Sequence, residues 1–353
     1  MPQCRDFNTE NKLRIPLSFF AAQTIENDCL NFAQKKTTLI NAIILNHYQN
    51  AECSISLQLR QFQEDLKKLL GSQKAKQNEV LLKSILAGRA KLLTDKYAKR
   101  KPADVNWQIT LNKRTKAFLT EDSYAKEELY YGNRPGHYVR ALLEDYAQLP
   151  FYRREEIVFK QYLDTINTGI RDHRVVNVTT IKGAHLSIKP YSVMTDPMSM
   201  YHYLVGFNLA SIEASNNGEK PYFNPPVISI RVSRLADVEI QYYQSGEISI
   251  QEEMQIIKEL DEKTVQFVSG KSTLVKVWLS EKGIKNYESQ HHLRPSFVGK
   301  DPLDEHVYLF ECTEAQILYY FLRFGKDAKV LSPETLKQTF RQSYIEALEN
   351  YSI

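Results

Sequence analysis

Apolar and polar residues alternate strictly at two places in the first third of the chain. The sequence reads KLRIPLS over residues 12–18 and WQITLN over residues 107–112. Successive side chains of a strand point to opposite faces, so each segment is predicted to be a short strand with one apolar face. Helical spacing follows both strands. It predicts helices over 19–34 and 37–48 with Thr37 or Thr38 as N-cap, then a helical stretch to about 131 and a helix over 138–147.

The two strand-and-helix segments match each other. The apolar pattern of residues 39–44, LINAII, matches that of residues 138–143, YVRALL, position by position. Each segment resembles a ribbon-helix-helix unit, and the second fits that family's second-helix pattern down to Tyr146. A lone strand needs an antiparallel partner, so we expect the two copies to pair, either within one chain or between chains.

The ribbon-helix-helix resemblance implies a DNA-reading surface. In that family, outward residues of the ribbon enter the major groove and the N-terminus of the second helix contacts phosphate. Pro16 departs from the pattern, because it stands at an outward position and has no side-chain donor. DNA reading and a docking or pairing module therefore both stay open. The candidate residues are Lys12, Arg14, Gln108, Thr110 and Asn112 on the ribbon, with Lys35, Lys36 and Arg134 near phosphates.

A basic insert separates the two copies. Residues 54–101 have helical apolar spacing, and residues 60–101 hold twelve basic and four acidic side chains, a local net charge of +8. A solvated helical face explains part of this charge. An electrostatic contact with nucleic acid is the alternative interpretation.

The middle of the chain is β-rich. After a helical segment over 154–168, short apolar runs over 174–178, 185–193, 200–207 and 228–235 are separated by polar turns, which favours a small barrel over a parallel sheet. The sequences PY at 190–191, HYLVGF at 202–207 and RVSRL at 231–235 resemble a WYL domain, whose fold is an SH3-like barrel. His202 stands where that family's motif usually has tryptophan.

The resemblance continues into the domain that usually follows. Strands are expected over 273–279 and 307–311, helices over 281–289 and before Gly325, and a last helix after Pro333. The sequence ILYYFLRFGKDAKVLSP at 317–333 is similar to the WYL family's C-terminal extension. The alternation of strands and helices predicts a small α/β sandwich, and the resemblance implies that this domain mediates dimerisation. The aromatic segment 319–324 belongs either to its core or to its interface.

The length of the chain and its distribution of charge bear on its domain organisation. With 353 residues, of which 42% are apolar and 25% charged, the chain can form two or three α+β domains. We place them at 1–150 with the insert 54–101, at 151–243 and at 244–353. The net charge of +4 divides into +7, +1 and −4 over these three parts. An anionic partner is therefore expected at the front, and a protein partner at the C-terminal domain.

Several function classes are not supported by the sequence. The first residues lack a signal-peptide apolar region, and no apolar run approaches membrane-spanning length, so we expect a soluble, cytoplasmic protein. The eight histidines and four cysteines have no metal-ligand spacing, and no catalytic motif is present. We expect neither an enzyme nor a cofactor.

Binding of an anion is better supported. On an extended strand, residues two apart share a face, so His185 and Lys189 line one side of the predicted barrel wall. Guanidinium, imidazole, ammonium and phenol groups supply hydrogen bonds to phosphate and surfaces for base stacking. The candidate residues are His185, Lys189, Tyr191, His202, Tyr203, Arg231 and Arg234.

The domain order points to a function. A ribbon-helix-helix front on a WYL domain resembles the WYL accessory proteins found beside type VI-D CRISPR effectors. This resemblance implies a homodimer that binds single-stranded RNA and enhances RNA cleavage by the effector. Two other hypotheses stay open. One is a transcription regulator that binds DNA through the ribbon and senses a nucleotide or oligonucleotide, and the other is a scaffold without nucleic-acid affinity.

Overall fold

The computed structural model describes residues 12–70, 78–98, 102–120, 127, 129–209 and 225–351. These residues form a mixed α+β structure with three antiparallel sheets. The chain divides into two compact units, residues 1–160 and 161–353. None of the described helices is long and apolar enough to cross a bilayer.

The first unit is built on a two-stranded ribbon. Its elements are β1 (Lys12–Leu17), α1 (Phe19–Asn31), α2 (Lys36–His47), α3 (Ile55–Leu70), α4 (Glu79–Leu93), a short π-helix (Thr94–Ala98), β2 (Val105–Thr110), α5 (Lys113–Thr120), a 3-10 turn (Leu129–Tyr131), α6 (Pro135–Gln148) and α7 (Phe151–Val158). The strands pair within the chain, antiparallel, from Lys12 opposite Thr110 to Leu17 opposite Val105. Part of the helical stretch predicted to reach residue 131 lies outside the described residues.

Helices α2 and α6 pack against each other, and α6 also packs against β1 of the ribbon. Leu39, Ile40, Ile43 and Ile44 are buried on α2, and residues 138, 139, 142 and 143 are buried at the matching positions of α6. Helix α2 begins one residue before the predicted start. Lys35 therefore occupies the N-cap position, without a side-chain cap, instead of Thr37 or Thr38.

A buried ionic network connects α1, α6 and the start of α7. Asp28 is completely buried and accepts hydrogen bonds from the Tyr146 hydroxyl at 2.7 Å and from Arg154 Nε at 2.7 Å. Arg154 also donates to the carbonyl of Leu149. Because α7 packs against α2 as well, the first unit extends beyond the predicted boundary at residue 150. Glu155 of α7 is also buried.

The second unit begins with α8 and a five-stranded antiparallel sheet. The elements are α8 (Lys160–Arg171), β3 (Arg174–Thr180), β4 (His185–Thr195), β5 (His202–Asn208), β6 (Val227–Arg231), a 3-10 turn (Val232–Arg234) and β7 (Leu235–Ser245). The strand order is β6-β5-β4-β3-β7. Gly169 of α8 lies so close to Val176 that an added Cβ would be 2.5 Å from its Cγ2.

This sheet is open where a closed barrel is predicted. In the described part of the chain β6 pairs with β5 and β7 pairs with β3, so the two edge strands do not meet. The strand predicted over 228–235 ends at Arg231 because the buried residues Val232 and Ser233 form a 3-10 turn. That turn redirects the chain to the opposite edge of the sheet.

A four-stranded sheet and four helices complete the second unit. The elements are α9 (Ile250–Lys263), β8 (Ser272–Leu279), α10 (Glu281–Ser289), β9 (Phe297–Asp301), β10 (Asp304–Thr313), α11 (Glu314–Phe321), a 3-10 turn (Leu322–Asp327), β11 (Ala328–Ser332) and α12 (Glu334–Glu349). The strand order is β11-β8-β10-β9. Every element expected over 273–349 is present, with small shifts at the ends. Tyr320, Phe321 and Phe324 are core residues, whereas Tyr319 is exposed.

Helix α9 connects the two sheets of this unit. It contacts β5, β6 and β10, and Ile256 is buried in one cluster with Tyr203 and Val205 of β5. Ser249 and Glu252 form a capping box at its N-terminus, which fixes where the helix begins. The helix therefore covers the face of the five-stranded sheet on which Tyr203 lies.

Candidate nucleic-acid interface

The ribbon of the first unit presents one polar face to solvent. Leu13, Ile15 and Leu17 are buried, so the alternate residues of β1 point outward. Arg14 and Gln108 are exposed and lie directly opposite each other in the ladder. The outward residues of the described ribbon are Lys12, Arg14, Pro16, Asn106, Gln108 and Thr110.

Asn112 does not belong to this face. β2 ends at Thr110, and the Asn112 side-chain oxygen accepts a hydrogen bond from the backbone N–H of Thr115 at 2.7 Å. Its own backbone N–H donates to Asn41 at 3.0 Å. Asn112 therefore caps the start of α5 and joins it to α2, as asparagine commonly does at helix N-termini.

Two basic residues lie at equivalent helix N-termini. Lys35 is the N-cap residue of α2 and Arg134 is the N-cap residue of α6, and both are exposed. Lys36 is more constrained, because its ammonium forms an ion pair with Glu26 at 2.7 Å and lies 4.0 Å from the centre of the Trp107 ring. Lys35 and Arg134 are thus the more accessible cations for a phosphate at these positive helix ends.

An arginine lies between two tyrosines on the five-stranded sheet. Arg231 of β6 and Tyr203 of β5 are directly opposite in the ladder. The Arg231 guanidinium carbon is 3.8 Å from the centre of the Tyr201 ring and 5.9 Å from that of Tyr203, and Nη2 donates to the Tyr203 hydroxyl at 3.5 Å. Tyr203 is buried, whereas Tyr201 and Arg231 are half-buried. The three residues form a cation flanked by π-surfaces, which we call the Arg231 cluster.

Lys189 is bound to a carboxylate of α9. Its ammonium donates to both oxygens of Glu252 at 2.8 and 3.1 Å. Partial burial alone would raise the pKa of Glu252, but hydrogen bonds from Lys189 and Ser249 outweigh it and lower this pKa. The Tyr191 hydroxyl points to the neighbouring carboxylate of Glu253 at 3.5 Å. These contacts hold α9 on the sheet and neutralise Lys189.

The other predicted residues of this sheet lie apart from the Arg231 cluster. His185 is exposed at the start of β4 and shares a hydrogen bond with Thr179 at 3.0 Å. Arg234 is exposed at the end of the 3-10 turn, beyond the strand that holds Arg231. His202 is only 5% exposed and lies on the face of β5 opposite to Tyr203.

The sequence pattern does not identify three residues that belong to these surfaces and contacts. Asn106 extends the outward ribbon face, Tyr201 stacks on Arg231, and Glu252 pairs with Lys189. Tyr201 directly precedes the HYLVGF sequence, so an aromatic residue next to the motif was an available signal. No local pattern connects Glu252 with Lys189. In the described residues, no group of three or more His, Cys, Asp or Glu side chains is placed to hold a metal ion.

Comparisons with known proteins support the fold. No protein-family model and no curated protein matches the sequence. A crystal structure described as that of a CRISPR Cas-related protein matches with a TM-score of 0.67 and 22% identity, over 96% of this chain and 94% of that one. The proteasome accessory factor B/C (PafBC) of Arthrobacter aurescens matches with a TM-score of 0.32 and 13% identity, over 71% of this chain and 38% of that one. The first likeness shows a shared fold over nearly the whole length of both chains.

Proposed function

We propose that this protein binds single-stranded RNA and acts as an accessory protein that enhances an RNA-targeting type VI-D CRISPR effector. The Arg231 cluster carries this proposal. A guanidinium flanked by Tyr201 and Tyr203 offers a charged donor for phosphate beside an aromatic surface for a base. The fold shared with a CRISPR Cas-related protein and the sequence resemblance to WYL accessory proteins give further support.

The near-neutral charge of residues 151–243 favours a small contact with RNA that a few side chains make. Residues 151–243 hold ten basic and nine acidic side chains, and Lys189 is already paired with Glu252. Bulk attraction to a polyanion is therefore weak here, so recognition depends on the placement of a few groups. Arg231 and Tyr201 are the half-exposed members of the Arg231 cluster, and we assign RNA contact to them first, with His185 and Arg234 next.

Sequence-specific binding of duplex DNA is the second candidate function. The observation in its favour is the antiparallel pairing of β1 and β2, with Arg14, Gln108 and Thr110 exposed on one face. A two-stranded ribbon of this kind fits the major groove, and the adjacent helix N-termini at Lys35 and Arg134 suit phosphates. In this candidate function the protein is a transcription regulator, and the Arg231 cluster serves as its nucleotide-sensing site.

A titration distinguishes the two functions. A labelled unstructured RNA and a duplex DNA of the same sequence are each titrated with the full chain at moderate salt. We expect tighter binding of the RNA, with a loss on Arg231→Ala but not on Arg14→Ala. Tighter binding of the duplex, lost on Arg14→Ala together with Thr110→Ala, would instead support the transcription regulator.

The accessory role has its own test. A type VI-D effector cleaves a reporter RNA in the presence and absence of this protein, and we expect faster cleavage with it. If the Arg231→Ala variant increases the cleavage rate as much as the wild type does, enhancement does not depend on RNA binding by the Arg231 cluster. Sedimentation of the full chain tests the homodimer, which we assign to residues 244–353.

A further inference from the structure

Helix α4 has a stripe of apolar residues on a solvent-exposed face. Leu81, Ile85 and Leu92 are 57%, 38% and 65% exposed, and Gly88 lies between the last two. The spacing of these four positions is four, three and four residues. On a helix of 3.6 residues per turn, this spacing aligns them along one narrow face, as at the a and d positions of a coiled coil. We call this face the α4 seam.

The described residues leave most of the seam uncovered, as the exposed fractions of its three aliphatic side chains show. An added Cβ at Gly88 would have no atom of the described part of the chain within 4 Å, so none of these residues covers the centre of the seam. Helix α4 packs against α3, and its buried residues, Leu82 and Leu93, lie off the seam. At its C-terminal end the seam adjoins a cavity of about 560 Å³ lined by Leu92, Arg89 and residues of α3.

The charges beside the seam have one sign. Arg89 and Lys91 flank it, and residues 80–94 contain no acidic side chain. Within the described part of the chain neither forms an ion pair, in contrast to Lys83, which pairs with Glu79 at 2.8 Å. A second copy of the chain would bring these cations against each other across the seam. An acidic helix would place carboxylates beside them instead.

We propose that the α4 seam is a docking site for an acidic amphipathic helix of a partner protein. Such a helix buries Leu81, Ile85 and Leu92 against its own apolar stripe, fits closely over Gly88, and pairs its carboxylates with Arg89 and Lys91. Nucleic acid would pair with the cations only, because a phosphate backbone has no apolar stripe to cover the aliphatic side chains of the seam. The proposal does not depend on the RNA-binding function.

The test uses two synthetic peptides and the full chain. Both peptides carry leucine at a and d over about four heptads, with glutamate at the flanking positions in one and lysine in the other. We expect the acidic peptide to bind at least about tenfold more tightly in a fluorescence anisotropy titration. The double variant Leu81→Ser, Leu92→Ser should lose about tenfold or more, and Arg89→Glu with Lys91→Glu should reverse the preference.

Val80→Ser is the matched control. Val80 is 84% exposed on the same helix but lies off the seam, so this variant should bind the acidic peptide as the wild type does. Circular dichroism shows whether each variant keeps its helices. Equal binding of the two peptides, or an equal loss with Val80→Ser, overturns the proposal. If the Leu81→Ser, Leu92→Ser variant instead dissociates a homo-oligomer or weakens RNA binding, the occupant is a second copy or nucleic acid, and the proposal is wrong.

Discussion

Replacement of Arg231 is expected to weaken RNA binding much more than it weakens the fold. The guanidinium lies 3.8 Å from the Tyr201 ring centre, a cation–π contact that contributes about 0.5–1 kcal/mol at a half-exposed site. Its hydrogen bond to the Tyr203 hydroxyl is long, at 3.5 Å, and adds little. Arg231→Ala should therefore lower the free energy of unfolding by about 1 kcal/mol or less.

The effect on RNA is larger because a charged hydrogen bond is lost. Such a bond to phosphate contributes about 1.5–3 kcal/mol, so Arg231→Ala should raise the Kd for single-stranded RNA about 10- to 150-fold. The slope of log affinity against log salt should also decrease by about 0.7, the value for one phosphate contact on a single strand. Arg231→Lys should keep that slope but lose the planar stacking on Tyr201, with an intermediate Kd.

The assay is an anisotropy titration of labelled RNA at several salt concentrations, with a thermal melt of each variant. Arg323→Ala is the matched control, because the Arg323 guanidinium lies 4.7 Å from the Tyr320 ring centre, in the C-terminal part of the second unit. It should leave both Kd and slope unchanged. If Arg231→Ala also leaves both unchanged, the phosphate contact lies elsewhere and the assignment of the Arg231 cluster to RNA is refuted.

Three further changes test the ribbon, the buried network and the contact of α9. Arg14→Ala should weaken duplex DNA binding by about 1–3 kcal/mol in an electrophoretic mobility assay and leave RNA binding intact, and an equal effect on both ligands would contradict a separate DNA-reading face. Asp28→Ala leaves the Arg154 guanidinium without its carboxylate, so urea unfolding should show a loss of about 3–5 kcal/mol, and a loss below 1 kcal/mol would contradict the network. Because the pKa of Glu252 is lowered in the folded state, its contribution to stability is present above the ordinary value of 4.5 and is lost as the pH falls through the lowered pKa. Glu252→Gln should therefore lower Tm at neutral pH and have a smaller effect in strong acid, whereas a pH-independent difference in Tm would show that this carboxylate's titration is not involved.

The sequence by itself determined most local elements of this protein. Alternation at residues 12–17 and 107–111 located the ribbon strands and their outward faces, because period-two patterning assigns each side chain to one face. The matched apolar positions of α2 and α6 indicated which residues of these two helices are buried. Strand and helix signals also located the elements of the C-terminal region, including α10 over residues 281–289.

The tertiary structure decided which candidate side chains are exposed and which are buried or paired with another residue. Lys189 and Glu252 are 63 residues apart and meet only because α9 crosses the five-stranded sheet. Asn112 continues the alternating pattern of β2, yet its side chain caps α5. The sheet stays open because the turn after Arg231 sends the next strand to the opposite edge. Local periodicity specifies the face of a side chain, but its partner depends on contacts between distant segments, which short-range patterns do not encode.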